Sequence, residues 1–304
     1  MAKILNQIET VLGNFPAKSV PEILAALEKV ARSDPENPGP HVAMAMLTSV
    51  GRYDFGEARR HLQTAGKLVE HATGNDPEAQ FSSSLYQVLH NEFQLVELAK
   101  STGEHATDAE LKKLAKTRAG SVEAIQQIQK LSKQLPDSDL AKTLYAALRC
   151  LSRTIAVDSS DYRGGILALG KLGASGNSAG LANFLLMYAH RRARRYPQAT
   201  RIAQQLEKRY PDSALIKRTT ASCYYFSRKY AQADQYLKQA EVLSPRDPSI
   251  LLDHARVLTR MNKLKEAQQM LQQSISLDPK NQYEAFRKDI AGTLKLQERF
   301  ESLS

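Results

Sequence analysis

One short stretch, which occurs three times at a fixed interval, decides the fold. Residues 196–213 read YPQATRIAQQLEKRYPDS, residues 230–247 read YAQADQYLKQAEVLSPRD, and residues 264–281 read LKEAQQMLQQSISLDPKN. The three copies follow one another at equal spacing along the chain. The residue types that recur are an alanine, a glutamine and a proline, at Ala199, Ala233 and Ala267, at Gln205, Gln239 and Gln273, and at Pro211, Pro245 and Pro279. A period that keeps small and helix-breaking residues in one phase predicts a stacked helical repeat.

A residue suited to start a helix follows each of these prolines. Ser213, Asp247 and Asn281 recur at the same interval as the prolines themselves. Their side chains accept a hydrogen bond from a backbone N–H in the first helical turn. The pattern therefore predicts that a new helix begins directly after each of them, which divides the stretch into equal units.

A unit of this length, with small residues where two helices would cross and a proline at its end, resembles a tetratricopeptide repeat. In the frame of that family, the units begin at Gly180, Ala214 and Pro248. The resemblance is specific over residues 180–281 and implies a pair of antiparallel helices in each unit. The Trp that is common in the family is missing, because the chain has none.

Weaker signs of the same architecture precede residue 180. The pair Asp34-Pro35 occurs again as Asp76-Pro77, and residues 135–138 (LPDS) are echoed by residues 210–213 (YPDS). The first interval is longer than one unit and the second is longer than two, which predicts expanded, degenerate repeats. One of these would turn at residues 51–54 (GRYD). Helices are expected over residues 4–12, 21–30, 42–50, 81–100, 108–135, 140–155 and 166–172.

The expected fold is therefore all-α, an α-solenoid of antiparallel helix pairs. Beyond the third unit, an apolar stripe with helical spacing is formed by Tyr283, Phe286, Ile290 and Leu294. A helix with one apolar face caps a solenoid, because nothing stacks beyond it. The expected division is residues 1–103 for degenerate hairpins, 104–179 for middle helical repeats, 180–281 for three repeat units, and 282–304 for the capping helix.

Charge is distributed unevenly along the chain. Residues 1–179 contain 20 Lys and Arg against 20 Asp and Glu, whereas residues 180–304 contain 22 against 12. The net charge of +10 therefore lies wholly on the repeats and the tail, which indicates an acidic partner. No apolar run approaches the ~20 residues that span a bilayer. Residues 1–12 lack the apolar centre of a signal peptide, and two cysteines make no disulfide framework, so a cytoplasmic location is expected.

No catalytic set is recognisable, so we expect neither an enzyme nor a bound cofactor or metal. Residues 165–171 read GILALGK, which matches the start of a phosphate-binding loop. Leu172 stands where that loop needs a Ser or Thr for Mg²⁺, and the preceding residues 159–163 (SSDYR) are a polar turn instead of a strand. The seven histidines include no i, i+4 pair of metal ligands. A hidden enzyme would need a pocket within residues 78–179.

In the tetratricopeptide family, ligands lie along the concave face made by the first helix of each unit. The resemblance therefore implies a partner-binding groove at Tyr188, Arg191, Arg192, Arg218, Ser222, Tyr225, Phe226, Arg256 and Arg260. Arginine offers a planar fork to carboxylates, and aromatic rings anchor a ligand at low entropic cost. The carboxylate clamp of some family members is not expected, because its residue types are missing at Phe184, Tyr188, Thr219, Ser249 and Asp253.

These features predict a non-catalytic scaffold or adaptor that binds an acidic, extended protein segment during the assembly of a protein complex. The alternative is a nucleic-acid-associated protein that uses the same basic face, since arginines and aromatic rings also track phosphates and bases. Acidic residues interrupt the basic ones throughout, which makes nucleic acid the weaker prediction. For residues 191–195 (RRARR), the competing interpretation is a solvated helix end, where cations favour the helix dipole.

Overall fold

The computed structural model describes residues 4–49, 55–71, 76–101, 106–278 and 283–303. Within these ranges the chain forms fifteen α-helices and no strand, which confirms the expected all-α class. The helices are α1 (Ile4–Leu12), α2 (Val20–Ser33), α3 (Gly39–Leu47), α4 (Phe55–His71), α5 (Pro77–Ser101), α6 (Asp108–Gln134), α7 (Asp139–Leu151), α8 (Ser160–Ser175), α9 (Ala179–Arg192), α10 (Tyr196–Arg209), α11 (Ala214–Phe226), α12 (Tyr230–Leu243), α13 (Pro248–Arg260), α14 (Leu264–Ser276) and α15 (Glu284–Leu303). The expected turn at residues 51–54, together with Pro279 and Asn281, lies outside the described residues.

The three units between α9 and α14 use one turn to join their two helices. Arg194, Arg228 and Asn262, which occupy the same position in successive units, adopt positive φ angles of 57°, 59° and 59°. The backbone N–H of the residue after each one donates across the turn, as from Arg195 to the carbonyl of His190 at 2.9 Å. This bond closes a Schellman motif, which satisfies a carbonyl at the end of the first helix. The repeat in sequence is therefore a repeat in backbone conformation.

A second recurring turn joins one unit to the next. The backbone N–H of Ser213 donates to the carbonyl of Tyr210 at 3.2 Å, and Asp247 donates to Ser244 at the same distance. Residues 135–138 make the same bond, which shows that the LPDS and YPDS stretches have the same role. The side chains of Ser213 and Asp247 also cap α11 and α13, as the sequence predicts.

Small residues lie where the helices cross. Ala199, Ala233 and Ala267 on the second helices are all completely buried, and Ala255 on α13 is buried to the same extent. A methyl side chain lets two helix backbones approach closely, because a longer one would push them apart. The buried alanines thus position the antiparallel pairs that form the solenoid.

The N-terminal region packs against the start of the repeat array. Phe15 meets the ring of Phe184 edge-on with centroids 4.8 Å apart, and the hydroxyl of Ser213 donates to the carbonyl of Pro16 at 3.0 Å. A side chain at Gly180 would clash, since its Cβ would lie 2.3 Å from the carbonyl oxygen of Phe15. One buried apolar cluster therefore continues from α1 to α11.

Before residue 180, α1 has the expected bounds and α6 ends one residue before the expected end, whereas other helices depart from their expected bounds. Helices α5 and α6 contain 25 and 27 residues, about twice the length of a repeat helix. Two apolar side chains of α6, Leu111 and Val122, are 49% and 38% exposed. Gly39 and Pro40 form the first turn of α3, which therefore begins before the expected residue 42, because proline fits the start of a helix.

Helix α15 closes the array at its C-terminal end. Tyr283, Ile290 and Leu294 are almost completely buried against residues of α13 and α14. Nη1 of Arg287 and the backbone N–H of Tyr283 donate to Asp278, at 2.6 and 3.0 Å, and hold the start of the helix. The expected terminal cap is therefore present, although the side chain of Phe286 lies outside the described set.

Candidate binding surface

Six of the predicted groove residues come together at the C-terminal ends of α9, α11 and α13. Helix α9 supplies an aromatic ring and an arginine, α11 supplies two adjacent rings, and α13 supplies two arginines. We call this set the arginine–aromatic ladder, and its members are Tyr188, Arg191, Tyr225, Phe226, Arg256 and Arg260. Phe226 and Arg260 are exposed and the other four are half-buried, so the ladder reaches the surface.

The first junction of the ladder lies between α9 and α11. Cζ of Arg191 is 4.7 Å from the centroid of the Tyr188 ring and 4.9 Å from the centroid of the Phe226 ring. An arginine between two rings is attracted by both ring faces. The ring of Tyr196 on α10 stacks on the ring of Phe226, since the two planes are inclined by only 11°. These contacts fix the orientation of the Arg191 guanidinium.

The second junction of the ladder lies between α11 and α13. Here the earlier helix supplies the ring and the later helix the arginine, since Cζ of Arg256 lies 4.6 Å from the centroid of Tyr225. Nε of Arg260 donates to the hydroxyl of Tyr225 at 3.3 Å, and this bond raises the pKa of the guanidinium above its ordinary value. The Tyr225 and Phe226 rings are edge-on with centroids 5.4 Å apart, which connects the two junctions.

Arg218 and Ser222 are buried inside the array, unlike the ladder residues. Arg218 is 4% exposed, and its Nε donates to Asp253 at 2.8 Å while its Nη1 donates to Ser249 at 2.6 Å. Asp253 accepts a further bond from Arg256 at 2.8 Å. Arg218 therefore joins two neighbouring repeats from within, and the binding surface proposed below omits it.

Arg192 is directed towards the preceding helix pair. Its two terminal nitrogens donate to the carbonyls of Cys150 and Ile155, each at 2.7 Å. Burial lowers the pKa of this guanidinium, although the nearby Glu92 carboxylate opposes the change. Because these bonds satisfy carbonyls at and after the end of α7, we assign Arg192 to packing and also omit it from the surface.

Two supporting rings were not among the predicted site residues. Tyr196 stacks on Phe226, and Tyr230 of α12 lies with its ring centroid 5.7 Å from that of Tyr225. Both occupy the same position in successive repeats. Their spacing was therefore visible in the sequence, but the family frame assigns ligand contacts to the first helix and passes over the second.

Helix α8 contains the residues that resemble a phosphate-binding loop. A Cβ at Gly165 would lie 2.5 Å from Sγ of Cys150, so this glycine permits close packing of α8 on α7. Burial raises the pKa of the Cys150 thiol to about 12 and that of Cys223 to about 11, and therefore keeps both protonated. Among the described residues there is no cluster of metal-ligating side chains and no helix long and apolar enough to cross a membrane.

The repeat geometry agrees with a comparison of protein families. A model of the tetratricopeptide repeat matches residues 227–290, which include α12, α13 and α14. Residues 227–290 therefore contain tetratricopeptide repeats. In the frame of this family, the second and third units begin at Ala214 and Pro248, which are also the first residues of α11 and α13. The first unit begins one residue after the start of α9. No curated protein sequence matches the chain at a significant level.

Three solved structures match this chain at low sequence identity. A complex of the TPR2AB domain of yeast Sti1 with pHSP90 is 15% identical, and the match covers 87% of this chain and 98% of that one with a TM-score of 0.36. A human IFIT1 dimer with m7Gppp-AAAA is 14% identical, with 96% and 79% coverage and a TM-score of 0.42. The APC/C hetero-tetramer Cut9–Hcn1 is 15% identical, with 92% and 53% coverage and a TM-score of 0.40.

Proposed function

We propose that the chain is a non-catalytic scaffold that binds an acidic, extended protein segment along the arginine–aromatic ladder. The observation that carries this proposal is the alternation of cations and rings across two repeat junctions, from Arg191 through Phe226 and Tyr225 to Arg256. Such a surface combines the two features of binding hot spots, aromatic anchors and arginines.

Stacking on aromatic rings orients the arginines for carboxylate binding. A guanidinium held against a ring keeps its plane, and its edge is then presented to a carboxylate with less loss of conformational entropy on binding. The positive charge of the repeats also attracts an acidic segment before contact, because the excess of 22 Lys and Arg over 12 Asp and Glu lies in residues 180–304. Affinity and attraction therefore favour the same class of ligand.

The N-terminal region has a supporting role in this proposal. Its loop covers the start of α9 and α11 through Phe15 and Pro16, whereas the ladder lies at the opposite ends of these helices. The partner would accordingly occupy a narrow strip along the ends of the first helices.

We also propose that the chain divides into four regions, with boundaries after residues 103, 179 and 281. Ligand binding belongs to the third region, residues 180–281.

Binding of labelled peptide pools to the full chain tests the proposal. Three peptide pools of equal length, in which acidic, neutral or basic residues are placed at random among other residues, are titrated by fluorescence polarisation. A single-stranded oligonucleotide is titrated in the same way. We expect the acidic pool to bind and the double variant Phe226→Ala/Arg260→Ala to weaken it at least tenfold. Arg201→Ala is the matched control, because Arg201 is exposed on α10 outside the ladder.

Two results would count against the scaffold. Equal binding of the acidic pool by the double variant and by the parent would move the site away from the ladder. Binding of the oligonucleotide in preference to every peptide pool, with a steep loss of affinity as salt is added, would establish the nucleic-acid alternative. Circular dichroism of each variant confirms that helix content is retained.

A further inference from the structure

We infer that the partner segment carries two acidic residues four positions apart, with an apolar residue midway between them. This pattern, acidic-x-apolar-x-acidic in an extended chain, deepens the proposed function and rests on it. It follows from the order in which the ladder presents charge and apolar surface, and from the distances between its members.

The charges of the ladder lie at its two ends. Arg191 stands at one end, Arg256 and Arg260 stand at the other, and only rings lie between them. Ser222, the position of the middle repeat that corresponds to Arg256, is uncharged and buried. A bound segment therefore meets a cation, then apolar surface, and then a cation again.

Three successive contacts limit the separation of the cations. Cζ of Arg191 lies 4.9 Å from the ring centroid of Phe226, that centroid lies 5.4 Å from the one of Tyr225, and Cζ of Arg256 lies 4.6 Å beyond it. The two guanidinium groups cannot be farther apart than these three steps together. This limit also bounds the length of extended chain that can join a carboxylate at one guanidinium to a carboxylate at the other.

An extended chain converts this span into a residue interval. It rises by about 3.3 Å per residue, and residues i, i+2 and i+4 point to the same side. Acids at i and i+4 are then about 13 Å apart, which fits within the three contacts, and residue i+2 lies over the middle of the ladder. An interval of six would need about 20 Å and exceeds the limit, whereas an interval of two leaves no side chain on the same side between the acids to face the rings.

The rings select the residue in the middle. Phe226 is 38% exposed, so a side chain placed there buries apolar surface against it. A carboxylate at the same place would lose hydration against a ring that offers it no hydrogen-bond donor. The middle position therefore favours an apolar residue and disfavours a third acid.

Two defined peptides of one composition, together with a helical third peptide, test the interval. The patterned peptide contains aspartate-serine-leucine-serine-aspartate in a glycine-serine background, and the scrambled peptide contains the same residues with the two aspartates adjacent and the leucine distant. A third peptide places the aspartates seven apart in an alanine-rich helix. We expect the patterned peptide to bind the full chain at least tenfold more tightly than the other two, measured by fluorescence polarisation.

Variants connect the preference to the ladder. Phe226→Ala should reduce the difference between patterned and scrambled peptides to less than threefold, whereas the exposed control Arg201→Ala should leave it unchanged. Equal affinity of the parent for all three peptides, with binding still weakened by Arg260→Ala, overturns the interval while the proposed function stands. Tightest binding of the helical peptide overturns the extended conformation. Failure of the patterned peptide to bind when the acidic pool does overturns the interval, and failure of both overturns the proposed function as well.

Discussion

Nε2 of His254 on α13 lies 2.7 Å from Oδ1 of Asp234 on α12, in a site where the imidazole is 3% exposed. Nδ1 of the same ring is hydrogen-bonded to the carboxylate of Glu241. An ionised carboxylate only accepts hydrogen bonds, so both ring nitrogens donate and the imidazole is charged. The second repeat is therefore joined to the third by a buried cation between two anions.

This arrangement predicts that stability falls at alkaline pH. Burial by itself lowers the pKa of His254, but the hydrogen bonds to Glu241 and Asp234 outweigh it and raise the pKa above its ordinary value of 6.5. The resulting stabilisation is complete below about pH 6.5 and is lost as the pH rises through the folded-state pKa. Urea unfolding at pH 6 and pH 9 should show this loss in the parent and not in His254→Gln. An identical change in both proteins would contradict the assignment.

Replacement of Arg228 by glycine should stabilise the chain. The residue adopts a φ of 59°, which costs an L-residue with a side chain about 1 kcal/mol and costs glycine little. Asn262→Gly is the matched comparison, because asparagine tolerates the same conformation at the same position of the next repeat. We expect a higher midpoint of thermal unfolding for Arg228→Gly and a smaller change for Asn262→Gly. A lower midpoint for Arg228→Gly would show that its side chain stabilises the turn.

Removal of the Arg218 side chain should destabilise the chain. Asp253, which is 4% exposed, would keep only its bond from Arg256, and an undercompensated buried charge costs about 3 kcal/mol. Arg218→Ala should accordingly unfold at a lower urea concentration than the exposed control Arg201→Ala. Unfolding of both variants at the same urea concentration would show that the buried pair contributes nothing.

Enlargement of a crossing residue tests the repeat packing. Ala233 is completely buried where helices meet, so Ala233→Leu should cost about 1–3 kcal/mol through overpacking. Ala231→Leu adds the same atoms at an exposed site on the same helix and should have little effect. Equal unfolding free energies of the two variants, measured in urea, would place the helix crossing elsewhere.

The repeats were predictable because their residues recur in phase. Ala214 and Pro248 begin helices where the repeat period places them, and the caps at Ser213 and Asp247 form as expected. Before residue 180 the period is broken by insertions. Turn residues and the helical period still locate α6, but no recurring position shows that α5 begins at Pro77 and α8 at Ser160.

The binding surface was predictable only in part. A repeat frame places a residue on the inner side of the first helix, but it does not show which partner the side chain finds. Arg218 pairs with Asp253, one repeat farther along, and Arg192 bonds to carbonyls of an earlier helix pair. Both pairings depend on the distance between neighbouring units, which the sequence of one unit does not contain.

Photo-crosslinking from the ladder tests the central claim most directly. A benzophenone amino acid replaces Phe226 in one variant and Val242 in another, since Val242 is 82% exposed on α12 outside the ladder. After irradiation in native extract, with and without nuclease, the crosslinked material is digested and sequenced by mass spectrometry. The scaffold proposal predicts protein segments rich in Asp and Glu crosslinked at position 226 and not at position 242, unaffected by nuclease. The same proteins crosslinked equally at both positions, or nucleic acid crosslinked at position 226, would contradict it.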